Sequence, residues 1–353
     1  MEKPIISGIQ QIGIGVPQVY EAWTWYRKHF GIDIKILDEE GKAEHMLPYT
    51  GGQPRRRHAV LAINLQGGGG FEIWQYKCRE PQPPAFSPRF GDVGILAARI
   101  KCRDVTLSYR RFRQEGIPTP GDLQHDPAGN PFFFAQDPFG NLFQLVNGRD
   151  WFYLNGHPTG GVFGAILGVS DLERACHFYR HILGYDQVVY HHEGRFEDLS
   201  ALPGGKGTFR RALLRHSQPR QGCFSRLLGP SEIELVQCLD RQPRKIFQNR
   251  FWGDLGFIHL SFDIRGMDAM RRLCAEKGFP FTVDSRDSFD MGEAAGHFSY
   301  VEDPDGNLIE FVETHKVPVL KKFNLYLDLR KRNPRKPLPY WMVRALAFNR
   351  VKG

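Results

Sequence analysis

The feature that most constrains this chain is a pattern it carries twice. Residues 9–32 read IQQIGIGVPQVYEAWTWYRKHFGI and residues 163–185 read FGAILGVSDLERACHFYRHILGY. An offset of 153 sets Val16 on Val169, Tyr26 on Tyr179, Arg27 on Arg180 and Gly31 on Gly184. Each copy reads as a strand, a turn and an amphipathic helix that ends at a glycine. A second pair closes each half, DPFGNLFQLV from Asp137 and DPDGNLIEFV from Asp303. In Asp-Pro-x-Gly-Asn the proline presets φ and the glycine admits positive φ, so a turn precedes the apolar strand. A recurring supersecondary unit of this kind fixes the architecture before any single residue is considered.

Between these landmarks the strand-like runs are Ala59–Leu65, Gly70–Tyr76 and Asp92–Ile100 in the first half. Their counterparts are Phe209–Leu214, Glu232–Cys238 and Phe257–Ile264. Helical patterns over Val105–Glu115 and Met267–Lys277 stop at Gly116 and Gly278. The chain therefore reads as α+β, with four tandem βαβββ units in two domains, 1–148 and 161–315. Residues 149–160 are the expected linker and 316–353 a C-terminal extension.

Charge is concentrated at one end. The formal total is +8, but residues 316–353 hold eleven Lys/Arg against Asp328 alone, which leaves the body slightly acidic. The body thus carries no nucleic-acid footprint. In the extension, aromatics and leucines alternate with the charges, so it is expected to pack on the body or on a second copy in a homodimer; an anionic surface is the other reading. No run reaches the roughly 18 apolar residues of a membrane span. MEKPIISGIQ lacks the pattern of a signal peptide. The six cysteines are scattered, with no C-x-x-C pair, which fits free thiols in a cytoplasmic protein.

The paired motifs resemble the vicinal oxygen chelate superfamily, which includes glyoxalase I, extradiol ring-cleaving dioxygenases and bleomycin-resistance proteins. The resemblance covers roughly residues 7–315. It implies that pairs of units curl into two partly open mixed-sheet barrels, with a divalent metal (Zn, Ni, Fe(II), Mn or Co) held by first- and last-strand residues. Those positions are Gln11 and Glu72 in unit one, Ile95 and Gln144 in unit two, Gly164 and Glu234 in unit three, and His259 and Glu310 in unit four.

If unit one pairs with unit four, the cup gathers Gln11, Glu72, His259 and Glu310, a set found in some glyoxalase I enzymes. If units three and four pair, His259 and Glu310 remain, with Glu234 as a substitute ligand and Gly164 where an extradiol enzyme has its histidine. The first pairing implies a lyase or isomerase that moves a proton on a small oxygenated molecule, with Glu310 as proton carrier and Glu72 opposite. Tyr300, ten residues before Glu310, is spaced like the tyrosine of Fe(II) extradiol dioxygenases, which is the alternative; its bland reading is a strand aromatic. A non-catalytic binding protein is the third reading. Gly15 and Tyr76 stand where glutathione-using enzymes carry Arg and Asn, so dependence on glutathione is not expected.

Bland readings stand beside these. A lone strand histidine is commonly a satisfied core residue, Glu310 can end its strand in solvent, Glu72 can pair with one of Arg55, Arg56 or Arg57 at the rim, and Gln11 can be structural. Glu234 reads as a relic of duplication or a surface charge. His58 and His125 read as surface or loop residues, and His297 faces away from Tyr300 by strand parity.

Overall fold

The computed structural model describes residues 3–286, 289–290, 295–320 and 325–351. Unit one runs β1 (Ile5–Gly15), α1 (Val19–Phe30), β2 (Ile34–Lys42), β3 (Arg56–Ile63) and β4 (Gly70–Tyr76). Unit two has β5 (Gly94–Cys102), α2 (Val105–Gln114), β6 (Gln124–His125), β7 (Pro131–Gln136) and β8 (Leu142–Asn147). Unit three has β9 (Thr159–Val169), α3 (Leu172–His181), β10 (Gln187–Arg195), β11 (Thr208–Arg215), a short α4 (Ser225–Leu228) and β12 (Glu232–Cys238). Unit four has β13 (Gly256–Arg265), α5 (Met267–Glu276), β14 (Val283–Asp284), β15 (Phe289–Asp290), β16 (Ala295–Glu302) and β17 (Leu308–Thr314). The four units are those expected, and Gly70–Tyr76 and Glu232–Cys238 keep their predicted limits.

Local chemistry accounts for the helix ends. The Asp104 and Asp171 side chains accept the Leu107 and Arg174 backbone N–H groups at the starts of α2 and α3. Gly31 ends α1 at φ 62°, a left-handed conformation that only glycine adopts freely.

Pairing crosses the halves. One sheet runs β14-β16-β17-β13-β1-β4-β3-β2, with β15 on β16, and so joins unit one to unit four. The other runs β10-β11-β12-β9-β5-β8-β7-β6 and joins unit two to unit three. At each centre two first strands lie antiparallel, β1 against β13 and β9 against β5, flanked by parallel last strands. This answers the question left open by the sequence in favour of the first-and-fourth pairing.

The repeated motifs meet in space. Tyr26 donates to the Asp137 carboxylate at 2.7 Å, and Tyr179 donates to Asp303 at 3.1 Å. Each aspartate also closes its own turn, accepting from the Asn141 or Asn307 backbone and amide. The Tyr and Asp motifs of each half therefore lock two successive units together around a shared apolar core that contains Tyr26, Phe71, Phe143 and Tyr179.

The extension folds back on its own body. It contains β18 (Lys316–Leu320), β19 (Leu325–Asp328) and α6 (Tyr340–Arg344); its residues 321–324 and 352–353 lie outside the described residues. Leu338 N–H donates to the Cys223 carbonyl at 2.9 Å, Val351 N–H to the Asp33 carbonyl at 2.9 Å, and Arg350 pairs with the Asp33 carboxylate. Leu329, Leu338 and Val343 are buried with Ile34, Ile63 and Leu227. No helix among the described residues is long and apolar enough to cross a membrane.

Candidate metal centre

The four middle strands of the first sheet, β17-β13-β1-β4, each place one polar side chain on the same concave face. Gly13 pairs in register with both His259 and Glu72, and Ser261 pairs with both Gln11 and Glu310, so the side chains converge from four backbones. His259 Nε2 lies 3.3 Å from Glu310 Oε2 and 3.4 Å from Glu72 Oε2. One ligand atom from each of these three residues falls within 4.8 Å of the others. Gln11 Nε2 donates to Glu310 Oε2 at 3.2 Å, and Tyr300 OH donates to Glu310 Oε1 at 2.7 Å.

What these atoms lack is as telling as what they hold. Gln11 Oε1, Glu72 Oε2 and both His259 ring nitrogens are buried and make no hydrogen bond, His259 Nε2 having only its two ion-pair approaches to the carboxylates. A buried polar atom without a partner costs roughly 1–3 kcal/mol, and here several share one point. The donor set, two carboxylates, an imidazole and a free amide oxygen, is one that a hard or borderline divalent cation satisfies. The residues present therefore fit such an ion.

Burial and mutual charge set the protonation. Burial pushes the Glu72 carboxyl up to about 7, against the opposing pull of His259. Burial also works against a charged imidazole, but the Glu310 and Glu72 carboxylates outweigh it and raise His259. Glu310 is desolvated as well, yet His259 and Tyr300 hold it below the usual carboxylate range. Burial, then Glu310, keeps the Tyr300 phenol protonated far into the alkaline range. The two carboxylates thus differ: Glu310 is pinned by hydrogen bonds, whereas Glu72 is neither pinned nor fully enclosed, with 15% of its side chain exposed.

Two neighbours escaped the sequence reading. Trp252 lies parallel to the His259 ring, with centroids 5.9 Å apart and planes at 10°; no motif marks it. Asp263 lies on β13 with His259 and faces the same cavity. Burial pushes its carboxyl up to about 7. The period of two in His259, Ser261 and Asp263 was a visible signal for it.

The loop that brings Trp252 also removes a glutathione-type arrangement. A Cβ at Gly15 would collide with the Asp254 backbone carbonyl, and Tyr76 donates to the Trp252 carbonyl. An arginine has no room at Gly15, and the Tyr76 hydroxyl is committed to this loop.

Three expectations are corrected, two of them in the second sheet. Gly13 faces His259, and the equivalent Ile166 faces Ala97, so the unit-two first-strand position is Ala97 and not Ile95. An irregularity between Ile95 and Ala97 shifts the count. Glu234 is not a surface charge: it is fully buried, 2.8 Å from Arg211 and 3.6 Å from Arg99. A guanidinium fills that cup beside Gln144 and Gly164. His58 is likewise not a surface residue; it is buried on β3, with Nε2 2.8 Å from Asp38. His125 is exposed on β6. His297 bonds Asp284 at 2.6 Å, away from the cup.

A family model for the Glyoxalase/Bleomycin resistance protein/Dioxygenase superfamily matches residues 8–145 and again residues 161–311. Among solved structures, a putative dioxygenase from Bacillus subtilis subsp. subtilis str. 168 is similar with a TM-score of 0.56 and 14% identity, over 89% of this chain and 86% of that one. Glyoxalase I from Zea mays gives a TM-score of 0.52 and 15% identity, over 87% and 92%. Likeness at this identity is likeness of fold. No curated protein matches the chain in sequence.

Proposed function

We propose that this chain, which belongs to the glyoxalase/bleomycin resistance protein/dioxygenase superfamily, is a divalent-metal-dependent lyase or isomerase that moves a proton on a small oxygenated substrate without glutathione. The observation that carries the reading is the convergence of Gln11 Oε1, Glu72 Oε2 and His259 Nε2, all buried and without hydrogen-bond partners. Gln11, Glu72, His259 and Glu310 would hold the ion. Bound there, Zn, Ni, Fe(II), Mn or Co supplies a Lewis acid that polarises a substrate oxygen.

The residues divide the remaining work. Resemblance gives the proton to Glu310, but Glu310 is held by Tyr300, Gln11 and His259. Glu72 is the better carrier, because one of its oxygens is uncommitted and its side chain is partly open to the cavity. Tyr300 fixes the Glu310 rotamer, and Trp252 shields the imidazole from water. A ring-cleaving dioxygenase finds less support, because the cup offers one imidazole among its four candidate ligands.

The test is elemental analysis of the purified chain, followed by solvent deuterium incorporation into a panel of α-hydroxycarbonyl compounds. About one ion per chain is expected, with exchange reduced at least ~100-fold in Glu72→Gln. A chain that takes up no divalent ion on titration overturns the reading. Oxygen uptake with catechols by the Fe(II)-loaded chain would move it to ring cleavage.

A further inference from the structure

The cavity above the four candidate ligands measures about 780 Å³, and part of its wall comes from the C-terminal extension. Leu338, Trp341, Met342, Val343 and Leu346 line it, facing the same space as Gln11, Glu72 and Glu310. Phe224, Leu227 and Leu228, from α4 and the residue before it, continue the apolar surface. The wall is fixed to the body at both ends, by Leu338 on Cys223 and by Arg350 and Val351 on Asp33. The cavity is also long. It reaches along β13 from the His259 neighbourhood to Asp263, four residues or about 13 Å at strand rise.

Its charge is one-sided. Seven carboxylates line it against Lys35, Lys42 and Arg57, and two of those bases are already engaged, Lys35 with Asp38 at 3.3 Å and Arg57 with Glu39 at 2.5 Å. Lys77 pairs with Glu40 in the same way, so once a divalent ion offsets Glu72 and Glu310 the lining offers an anionic tail little counter-charge, whereas an apolar tail meets a surface made for it.

We propose that the C-terminal extension completes the substrate cavity and selects uncharged substrates that carry an apolar chain or ring behind the oxygens presented to Gln11, Glu72, His259 and Glu310. The inference rests on the metal-cup reading above. It gives the basic extension a role at the site: its apolar side chains form the wall, and Arg350, one of its cations, anchors it to the body.

The test separates head from tail with three hydroxamates titrated calorimetrically into the full-length, Zn-loaded chain. Acetohydroxamate probes the ligand cluster alone. Octanohydroxamate adds six methylenes, and suberic acid monohydroxamate has the same length but ends in a carboxylate. Octanohydroxamate is expected to bind roughly fifty-fold more tightly than acetohydroxamate, the return on about half-burying those methylenes. The carboxylate analogue should lose most of that gain. Met342→Ala/Leu346→Ala should cut the gain about five-fold and leave acetohydroxamate affinity unchanged, which also shows that the variant is folded. Equal binding of the two chain lengths, tight binding of the carboxylate analogue, or an undiminished gain in the double variant overturns the inference and leaves the metal cup standing. A wild-type chain that binds neither Zn nor acetohydroxamate overturns the metal reading, and this inference with it.

Discussion

Adding one methyl group at Gly13 puts the geometry of the cup to a quantitative test. Gly13 faces His259 across the β1–β13 pair, and a Cβ there would stand 2.5 Å from Nδ1 and 2.8 Å from Nε2 of the ring. The nearest ring atom is Cε1 at 2.3 Å and ordinary contact begins near 3.4 Å, so the imidazole must retreat by about 1.1 Å. It has little room to do so, because Trp252 lies parallel on one side and Tyr300 meets it edge-on with centroids 5.5 Å apart. Overpacking of this kind costs about 1–3 kcal/mol. Displacing a candidate ligand by about an ångström should lower metal affinity by about 100-fold, the upper range for disturbing the support of a ligand. Competition against a metallochromic indicator measures the second effect and urea unfolding of the metal-free chain the first. The control is His259→Ala: without the ring the methyl group has space, so Gly13→Ala should cost almost nothing in that background, a coupling of at least ~1 kcal/mol. Wild-type metal affinity in Gly13→Ala, or equal destabilisation in both backgrounds, would refute the placement of His259 against Gly13.

Further outcomes follow from buried charge. Asp263 keeps its proton up to about pH 7 in the folded chain, chiefly through burial, whereas an unfolded aspartate releases it near pH 3.9. The unfolded state therefore binds fewer protons between these values, and stability is lost as pH rises from about 4 to 7, by up to ~4 kcal/mol from this group. Asp263→Asn should remove that slope, so urea midpoints of the two proteins diverge over this window; parallel curves would show that Asp263 is not the buried acid inferred here. In the other cup, Arg211→Met should destabilise the chain by roughly 3–5 kcal/mol, because Glu234 and Asp198 lose their cation. Metal stoichiometry should stay the same, and a loss of bound metal would mean that the second cup takes part in binding.

The sequence revealed this much because repetition is visible in one chain. Period-two strands, glycine helix ends and the Asp-Pro-x-Gly-Asn turns depend on local rules, so the four units could be read directly. Gln11, Glu72, His259 and Glu310 were legible through the family resemblance of the repeats, although their convergence depends on cross-half pairing that local patterns do not encode. Asp263 shares the period of two with His259 and Ser261, but an aspartate in FDIR near a strand end reads as solvated, and its burial beside the cavity is a tertiary fact. Trp252 sits in an irregular loop, where nothing periodic exists to read. The Ile95 position failed by two residues because an irregularity in β5 breaks the count that periodicity relies on.

The two cups also show how duplicated backbones come to different chemistry. Units one and three each place a carboxylate on their last strand, the largely enclosed Glu72 and the fully buried Glu234, and a carboxylate so withdrawn from water needs a cation. In the second cup Arg211 and Arg99 provide it. Side-chain volumes follow: Ile166 fills the space opposite Ala97, and a Cβ at Gly164 would strike the Glu232 backbone carbonyl at 2.3 Å and crowd the Arg99 side chain at 3.1 Å. A guanidinium neutralises the acid but brings its own bulk and leaves no open coordination position. The first cup reverses both choices, with glycine opposite histidine and glutamine where the second has glycine. Neither Arg57 nor any other base of its lining pairs with Glu72 in the way Arg211 pairs with Glu234. The first cup therefore has an acid faced by no guanidinium but only by His259 at 3.4 Å, donor atoms without hydrogen bonds, and free volume above them. On the reading proposed here, those are the three conditions under which a small ion can serve as the cation and still face a substrate.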